Sequence, residues 1–215
     1  DPANERIQLN ENTIWAGGPN RNDNPNALEA LPIIRQLIFN EKYEEAQALA
    51  DEKLLSKKSQ GMPYQTAGNL NLTFHDQHEF SNYYRELDIE RAVATTRYSA
   101  QGTQYQREIF ASFPNEVIAM RLTANQKGNI SFIASLDHPG DVTIESAGDN
   151  MLKMSGTSSS YETVEGKVQF VVLVKLLPEG GKLTKKDNTL IANECDAMTI
   201  FISMATNFID YTDVS

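Results

Sequence analysis

Val168–Leu177 reads VQFVVLVKLL. Val168, Phe170, Val172, Val174 and Leu176 alternate along one face of an extended chain, and Val171 and Leu173 add apolar groups to the other. A period of two marks a strand, and strands apolar on one face and partly so on the other belong in the middle of packed sheets. Met198, Ile200, Ile202 and Met204, with Phe201 behind them, repeat the pattern.

Similar runs extend outward from these two. They are Tyr64–Phe74, Tyr83–Ile89, Ala92–Tyr98, Gln104–Phe113, Val117–Leu122, Ile130–Leu136, Val142–Glu145 and Met151–Met154. Turn signals separate them: Gln101-Gly102, Phe113-Pro114-Asn115, Lys127-Gly128-Asn129, His138-Pro139-Gly140, Gly148-Asp149-Asn150, Pro178–Gly181 and Asp187-Asn188. Many short strands at this spacing predict a mainly β protein, a large antiparallel sandwich or barrel. The 215 residues are enough for one large β domain or two small ones, with about 70% of the unfolded chain's surface buried. We find no internal repeat and no low-complexity segment.

Only before Met62 does the period become helical. Asn20–Pro25 (NRNDNP) is a turn cluster, Asn26 is a candidate N-cap, and Glu29 stands at the capping-box position. Leu28, Leu31, Ile34 or Arg35, and Ile38 share a helical face, with Pro32 expected to kink the helix or reset its start. A second face follows Asn40 through Tyr43, Ala46, Leu49 or Ala50, and Leu54, with Glu44, Glu45, Asp51 and Glu52 towards solvent. The expectation is a helical hairpin inserted over about residues 24–56 and lying on a sheet.

Glu5–Pro19 (ERIQLNENTIWAGGP) has a different chemistry. Ile7 and Leu9 alternate as in a half-buried strand, then Asn10, Glu11, Asn12 and Thr13 supply hydrogen-bonding groups, and Ile14-Trp15 leads into Gly17-Gly18-Pro19. Amides, a carboxylate and a flat aromatic suit a sugar, which takes bidentate hydrogen bonds and stacks its C–H face on a ring. Read from the residues alone, a strand end with its tryptophan packed as a core anchor takes precedence. Asn10, Glu11 and Trp15 are the candidate substrate-binding or domain-interface residues.

Composition excludes several classes. A net charge of −10 and a pI of about 4.8 argue against a nucleic-acid partner, which needs clustered Lys and Arg. The single cysteine, Cys195, excludes an intrachain disulfide and a multi-cysteine metal site, and reads as a small buried hydrophobe. No apolar run approaches the ~20 residues a membrane-spanning helix needs. There is no Gly-x-Ser-x-Gly elbow, phosphate loop or dinucleotide fingerprint. Gly17-Gly18 and Gly180-Gly181 read as turns.

His75-x-x-His78 with Asp76 and Glu79 lacks a third ligand at defined spacing and reads as a solvated loop, and His138 as a turn residue. Glu86 and Asp88 point to one face of a strand, with carboxylates about 6–7 Å apart. Such a ladder is usually solvated, here with Arg85 and Arg107 as candidate partners, so no catalytic residue, metal ligand or cofactor is assigned.

The opening stretch resembles the N-terminal domain of the glycoside hydrolase family 95 α-L-fucosidases. The likeness runs on in order through NPNALEALPIIRQLIFNEKYEEAQALA, PYQTAGNLNLTF and YYRELDIERAVATTRYSAQGTQYQREIFASFPNEVIAMRLTA. It is close over about residues 5–124, and pattern and order carry it on to ATNF at Ala205–Phe208.

The resemblance implies a large sandwich of the super-sandwich type, packed on a separate (α/α)6 barrel that holds the catalytic groups. It implies inverting hydrolysis of terminal α-L-fucosyl or L-galactosyl linkages, a choice made in the barrel. The partners it implies are the parent's own C-terminal barrel and, only through that barrel, a fucosylated glycan. No nucleic acid, membrane or cofactor is implied, and the expected compartment is periplasmic or extracellular. The family usually has a further Gly-Asn-Gly-rich strand before ERIQLNE, and a linker to the barrel is expected near Tyr211–Ser215. The chain is therefore expected to be one β-sandwich domain, residues 1–215, of a longer enzyme. A stand-alone carbohydrate-binding module, with Trp15, Tyr64, Tyr83 or Tyr84 in a planar row, is the alternative, and a purely structural module is a third.

Overall fold

A computed structural model describes residues 1–20, 22–56 and 61–214. The chain runs β1 (Asn4–Leu9), α1 (Ala27–Phe39), α2 (Tyr43–Lys53), β2 (Gly68–Thr73), β3 (Ser81–Asp88), β4 (Val93–Ala100), β5 (Thr103–Ser112) and β6 (Val117–Ala124). It continues β7 (Ile130–Asp137), β8 (Val142–Ser146), β9 (Met151–Thr157), β10 (Gln169–Glu179), β11 (Lys182–Lys186), β12 (Thr189–Cys195) and β13 (Ala197–Thr206). Two antiparallel sheets result, one of five strands in the order β1-β2-β7-β12-β11 and one of eight in the order β3-β4-β5-β6-β13-β10-β9-β8.

The alternation in Val168–Leu177 has the expected consequence. Phe170, Val172, Val174 and Leu176 of β10 are buried, as are Met198, Ile200 and Ile202 of its neighbour β13. They meet Leu70 and Leu72 of β2, Phe132 and Ala134 of β7, and Leu190 and Ala192 of β12 in one core between the sheets. Cys195 is wholly buried in the same core, where desolvation raises its thiol pKa. Leu173 and Val171, on the back of β10, stay half-exposed on the outer face of the large sheet.

The β11–β12 hairpin has no counterpart among the runs read from the sequence. Lys182, Lys185 and Lys186 leave β11 little apolar signal, as suits an edge strand whose charges oppose edge-to-edge pairing. Gly180 (φ +63°) and Gly181 (φ +61°) form the two-residue link from β10, a conformation that favours glycine at both positions.

The helical hairpin forms, with two departures from expectation. Asn26 makes no capping bond with its side chain, so the capping box is not built. Asn24, which is buried, serves instead: its Oδ1 accepts from the Asn26 N–H at 3.1 Å, and its Nδ2 donates to the Leu55 carbonyl at 3.0 Å. The hairpin also keeps its own small core of Ala30, Ile34 and Ala46, with Leu37, Leu49, Ala50 and Leu54, and no strand residue joins that cluster. It therefore packs on itself instead of on a sheet. Helix α1 runs through Pro32 without a break, and the stripe of Leu28, Leu31 and Ile38 faces outward. Within the turn cluster ahead of it, Arg21 lies outside the described residues.

Candidate functional site

The candidate site grows from the end of β1. Beyond Leu9 the strand gives way to a turn held by its own side chains: Glu11 Oε2 accepts from the Thr13 N–H at 2.8 Å and from Thr13 Oγ1 at 2.5 Å. Thr13 Oγ1 also meets Thr206 Oγ1 at 2.5 Å, which ties the turn to the end of β13 in the other sheet. The Glu11 carboxylate is thus occupied within its own turn, and Asn10 stands exposed beside it.

Ile14 is the buried anchor of the strap, and Trp15, expected to pack in the core, instead turns out and is 45% exposed. Its indole N–H donates to the Asn12 carbonyl at 2.9 Å, so the polar edge is satisfied and the apolar ring is what the surface presents. Tyr64 meets Trp15 edge-on, with centroids 5.4 Å apart and planes at 73°, and its hydroxyl donates to the Glu11 carbonyl at 3.1 Å. Burial, then the nearby Glu11 charge, raises the Tyr64 pKa.

The strap continues through backbone bonds from Ala16 N–H to the Pro63 carbonyl at 3.0 Å and from Gly17 N–H to the Ser159 carbonyl at 2.9 Å. Gly17 has φ +69°, which favours glycine, and a Cβ there would lie 2.9 Å from Met62 Sδ. Beside the strap is an open cleft of about 460 Å³, walled by Trp15, Met62, Phe208 and Tyr211, with Thr13 and Asn20 as polar lining. An aromatic wall beside a few polar groups suits a sugar ring or an apolar side chain from a docked partner.

Of the three residues singled out in the sequence, Trp15 lines this cleft, whereas Asn10 and Glu11 do not. Thr13 belongs to the polar run read beside Trp15, whereas Met62, Phe208 and Tyr211 carried no local signal, because they reach the cleft from distant segments. The planar row of aromatics is not formed. Trp15 and Tyr64 are nearly perpendicular, and Tyr83 pairs with Phe80 at 5.8 Å and 58°.

The other candidates are absorbed by structure. His75, Asp76, His78 and Glu79 are exposed, but Gln77, one of the two residues between the histidines, is buried. No group of three metal-ligating side chains assembles among the described residues. Glu86 takes the Tyr84 hydroxyl at 2.9 Å and faces Arg97 at 3.7 Å; neither Arg85 nor Arg107 is its partner. Asp88 Oδ1 accepts from the backbone N–H of Glu90 and Arg91 at the following turn. His138 does more than turn the chain: Nδ1 accepts from the Gly140 N–H at 2.9 Å, which leaves Nε2 to donate to the Thr66 carbonyl at 3.1 Å.

Arg107 closes the sandwich beside β1. It is 3% exposed, pairs with Glu5 at 2.8 Å, and donates through Nη2 to Gln77 Oε1 at 2.9 Å and the Tyr98 hydroxyl at 2.6 Å. Its guanidinium lies 4.1 Å from the Phe74 ring centroid. Burial pushes the Tyr98 pKa up to about 12, against the opposing pull of Arg107. This is a structural clamp between the sheets.

The sequence profile of the family described as "Glycosyl hydrolase family 65, N-terminal domain" matches residues 1–211. The chain is 39% identical over 141 residues to "Alpha-L-fucosidase 2" of Arabidopsis thaliana, covering 63% of this chain and 16% of that protein. It is 32% identical over 128 residues to "Probable alpha-fucosidase A" of Aspergillus niger, covering 56% and 16%, and 26% identical over 132 residues to the protein of that name from Aspergillus oryzae, covering 58% and 17%. The matched part therefore spans less than a fifth of each relative.

Proposed function

The chain belongs to the glycosyl hydrolase family 65 N-terminal domain family, and from that premise we propose that it is the non-catalytic N-terminal domain of an inverting α-L-fucosidase of the family 95 type. In this reading a catalytic (α/α)6 barrel in the same polypeptide carries the chemistry. The sandwich supports that barrel and borders its active site with the Trp15 cleft. The reaction is removal of a terminal α-L-fucosyl or L-galactosyl group by a carboxylic acid and an activated water on opposite faces of the sugar. The setting that goes with it is the periplasm or the outside of the cell, where such glycans are met.

The observation that carries the reading is the likeness to relatives named as fucosidases, among them one 39% identical over 141 residues. The site geometry supports the bordering role. Trp15 offers a ring without a free N–H, and the nearest carboxylate, Glu11, is held by Thr13. The test compares hydrolysis of 2′-fucosyllactose and a nitrophenyl α-L-fucoside by the parent polypeptide and by residues 1–215 alone. The parent is expected to hydrolyse both with inversion and the fragment neither; a fragment as active as the parent overturns the proposal.

The half-exposed Trp15 beside an open cleft favours a second reading, a carbohydrate-binding module. Calorimetric titration of the fragment with fucosylated oligosaccharides separates the two. Heats that vanish in Trp15→Ala favour the module, and flat titrations remove it.

A further inference from the structure

Helix α1 is apolar on two sides, and its own fold covers only one. Ala30, Ile34 and Leu37 face α2 in the hairpin's small core. On the far side Leu28, Leu31, Pro32, Ile38 and Phe39 fall on one stripe at helical spacing, with Arg35 the charge among them. The stripe is open: Leu28 is 82% exposed and Phe39 75%. A helix apolar all round is ordinarily buried all round, and contiguous exposed apolar side chains mark an interaction surface.

We infer that this outer face of α1 is the seat of a contact within the parent polypeptide, made with an apolar groove in the part of that polypeptide outside residues 1–215. The inference rests on the proposed reading that such a catalytic partner domain exists, and it names the surface that meets it. Size selects this occupant over a second copy. Thirteen residues make a helix about 20 Å long and about 10 Å wide, a footprint of about 200 Å², far short of the ~800 Å² per partner of a stable complex between separate chains. A tether removes that requirement, because it supplies an effective concentration of about millimolar. The curated relatives provide the length for it, since the matched part is only 16% of the Arabidopsis protein. Net charge of −10 on each copy opposes self-association further.

The experiment places the photo-crosslinking amino acid p-benzoylphenylalanine at Leu28 or at Phe39 of the full-length parent, with Glu44 on the acidic side of α2 as control. Mass spectrometry of the irradiated monomer is expected to join positions 28 and 39 to peptides outside residues 1–215, with at least tenfold lower yield from position 44. Crosslinks confined to residues 1–215, a covalent dimer, equal yields at all three positions, or none at any would each overturn the inference. Hydroxyl-radical labelling of the unsubstituted parent provides a readout that no variant can confound. Leu28 and Phe39 are expected to be as unreactive as the buried Phe74 and Phe132, and labelling at the rate of open side chains overturns the contact. Fucosidase assay of the same sample keeps the two claims apart. An inactive parent with the crosslink keeps the interface and removes the fucosidase assignment, and an active parent with open Leu28 and Phe39 does the reverse.

Discussion

The rings of Trp15 and Tyr64 meet edge-on, with centroids 5.4 Å apart and planes at 73°, and both polar ends of the pair are tied to the Asn10–Thr13 turn. Such a pair is worth about 0.5–1.5 kcal/mol beyond the area it buries. Here it also fixes the angle at which the indole faces the cleft. If the proposed parent fucosidase is the chain's setting, replacing Trp15 with alanine in it is expected to raise KM about three- to tenfold, the equivalent of ~1 kcal/mol of lost contact. Unchanged KM and kcat on a fucosylated oligosaccharide would return Trp15 to plain packing.

Arg107 is the one buried cation of the clamp that joins β5 to β1, and its acceptors include Glu5, Gln77 and Tyr98. Arg107→Met leaves Glu5 without its partner and takes the shared cation from Gln77 and Tyr98, which keep only the hydrogen bond from the Tyr98 hydroxyl to Gln77 Oε1, so unfolding free energy is expected to fall by about 3–5 kcal/mol. Urea melts of wild type and variant measure it. Arg107→Lys is expected to lose most of the same amount, because a point ammonium cannot reproduce a planar fork.

Tyr98 makes stability depend on alkaline pH. Its folded pKa of about 12 lies above the value of 10.0 for a free phenol, so between these limits the folded chain holds a proton that the unfolded chain has released. The contribution is complete below pH 10, declines as pH rises and is gone above about pH 12. Its full size is about 2–3 kcal/mol. Urea midpoints across this window are expected to fall more steeply in wild type than in Tyr98→Phe, and parallel curves would refute the assignment.

Leu190 tests the hairpin that local pattern did not reveal. It is wholly buried in the central core, from a strand paired with β7. Leu190→Ala is expected to cost about 2–5 kcal/mol in chemical denaturation, as for any large core deletion. A loss under 1 kcal/mol would mean that β11 and β12 are peripheral to the folding unit.

By itself the sequence determined the two-layer β architecture, the buried rows of β10 and β13, the helical hairpin and the family likeness. Each of these rests on a period or an ordered run that neighbouring residues display along the chain. A period says which side chains share a face, and it is silent on what that face meets. The stripe of Leu28, Leu31 and Ile38 was therefore legible as one face of α1, while its outward direction was decided by the packing of Ala30 and Ile34 on α2. The same limit governs the polar groups. Arg107 finds Glu5 102 positions away, and Thr13 meets Thr206 across 193 positions. Trp15 was readable as an aromatic at a strand end, but its half-open ring, its satisfied N–H and the cleft beside it exist only because distant segments converge there. Tertiary structure made that choice, since burial and hydrogen-bond satisfaction are properties of the assembled sheets and have no local code.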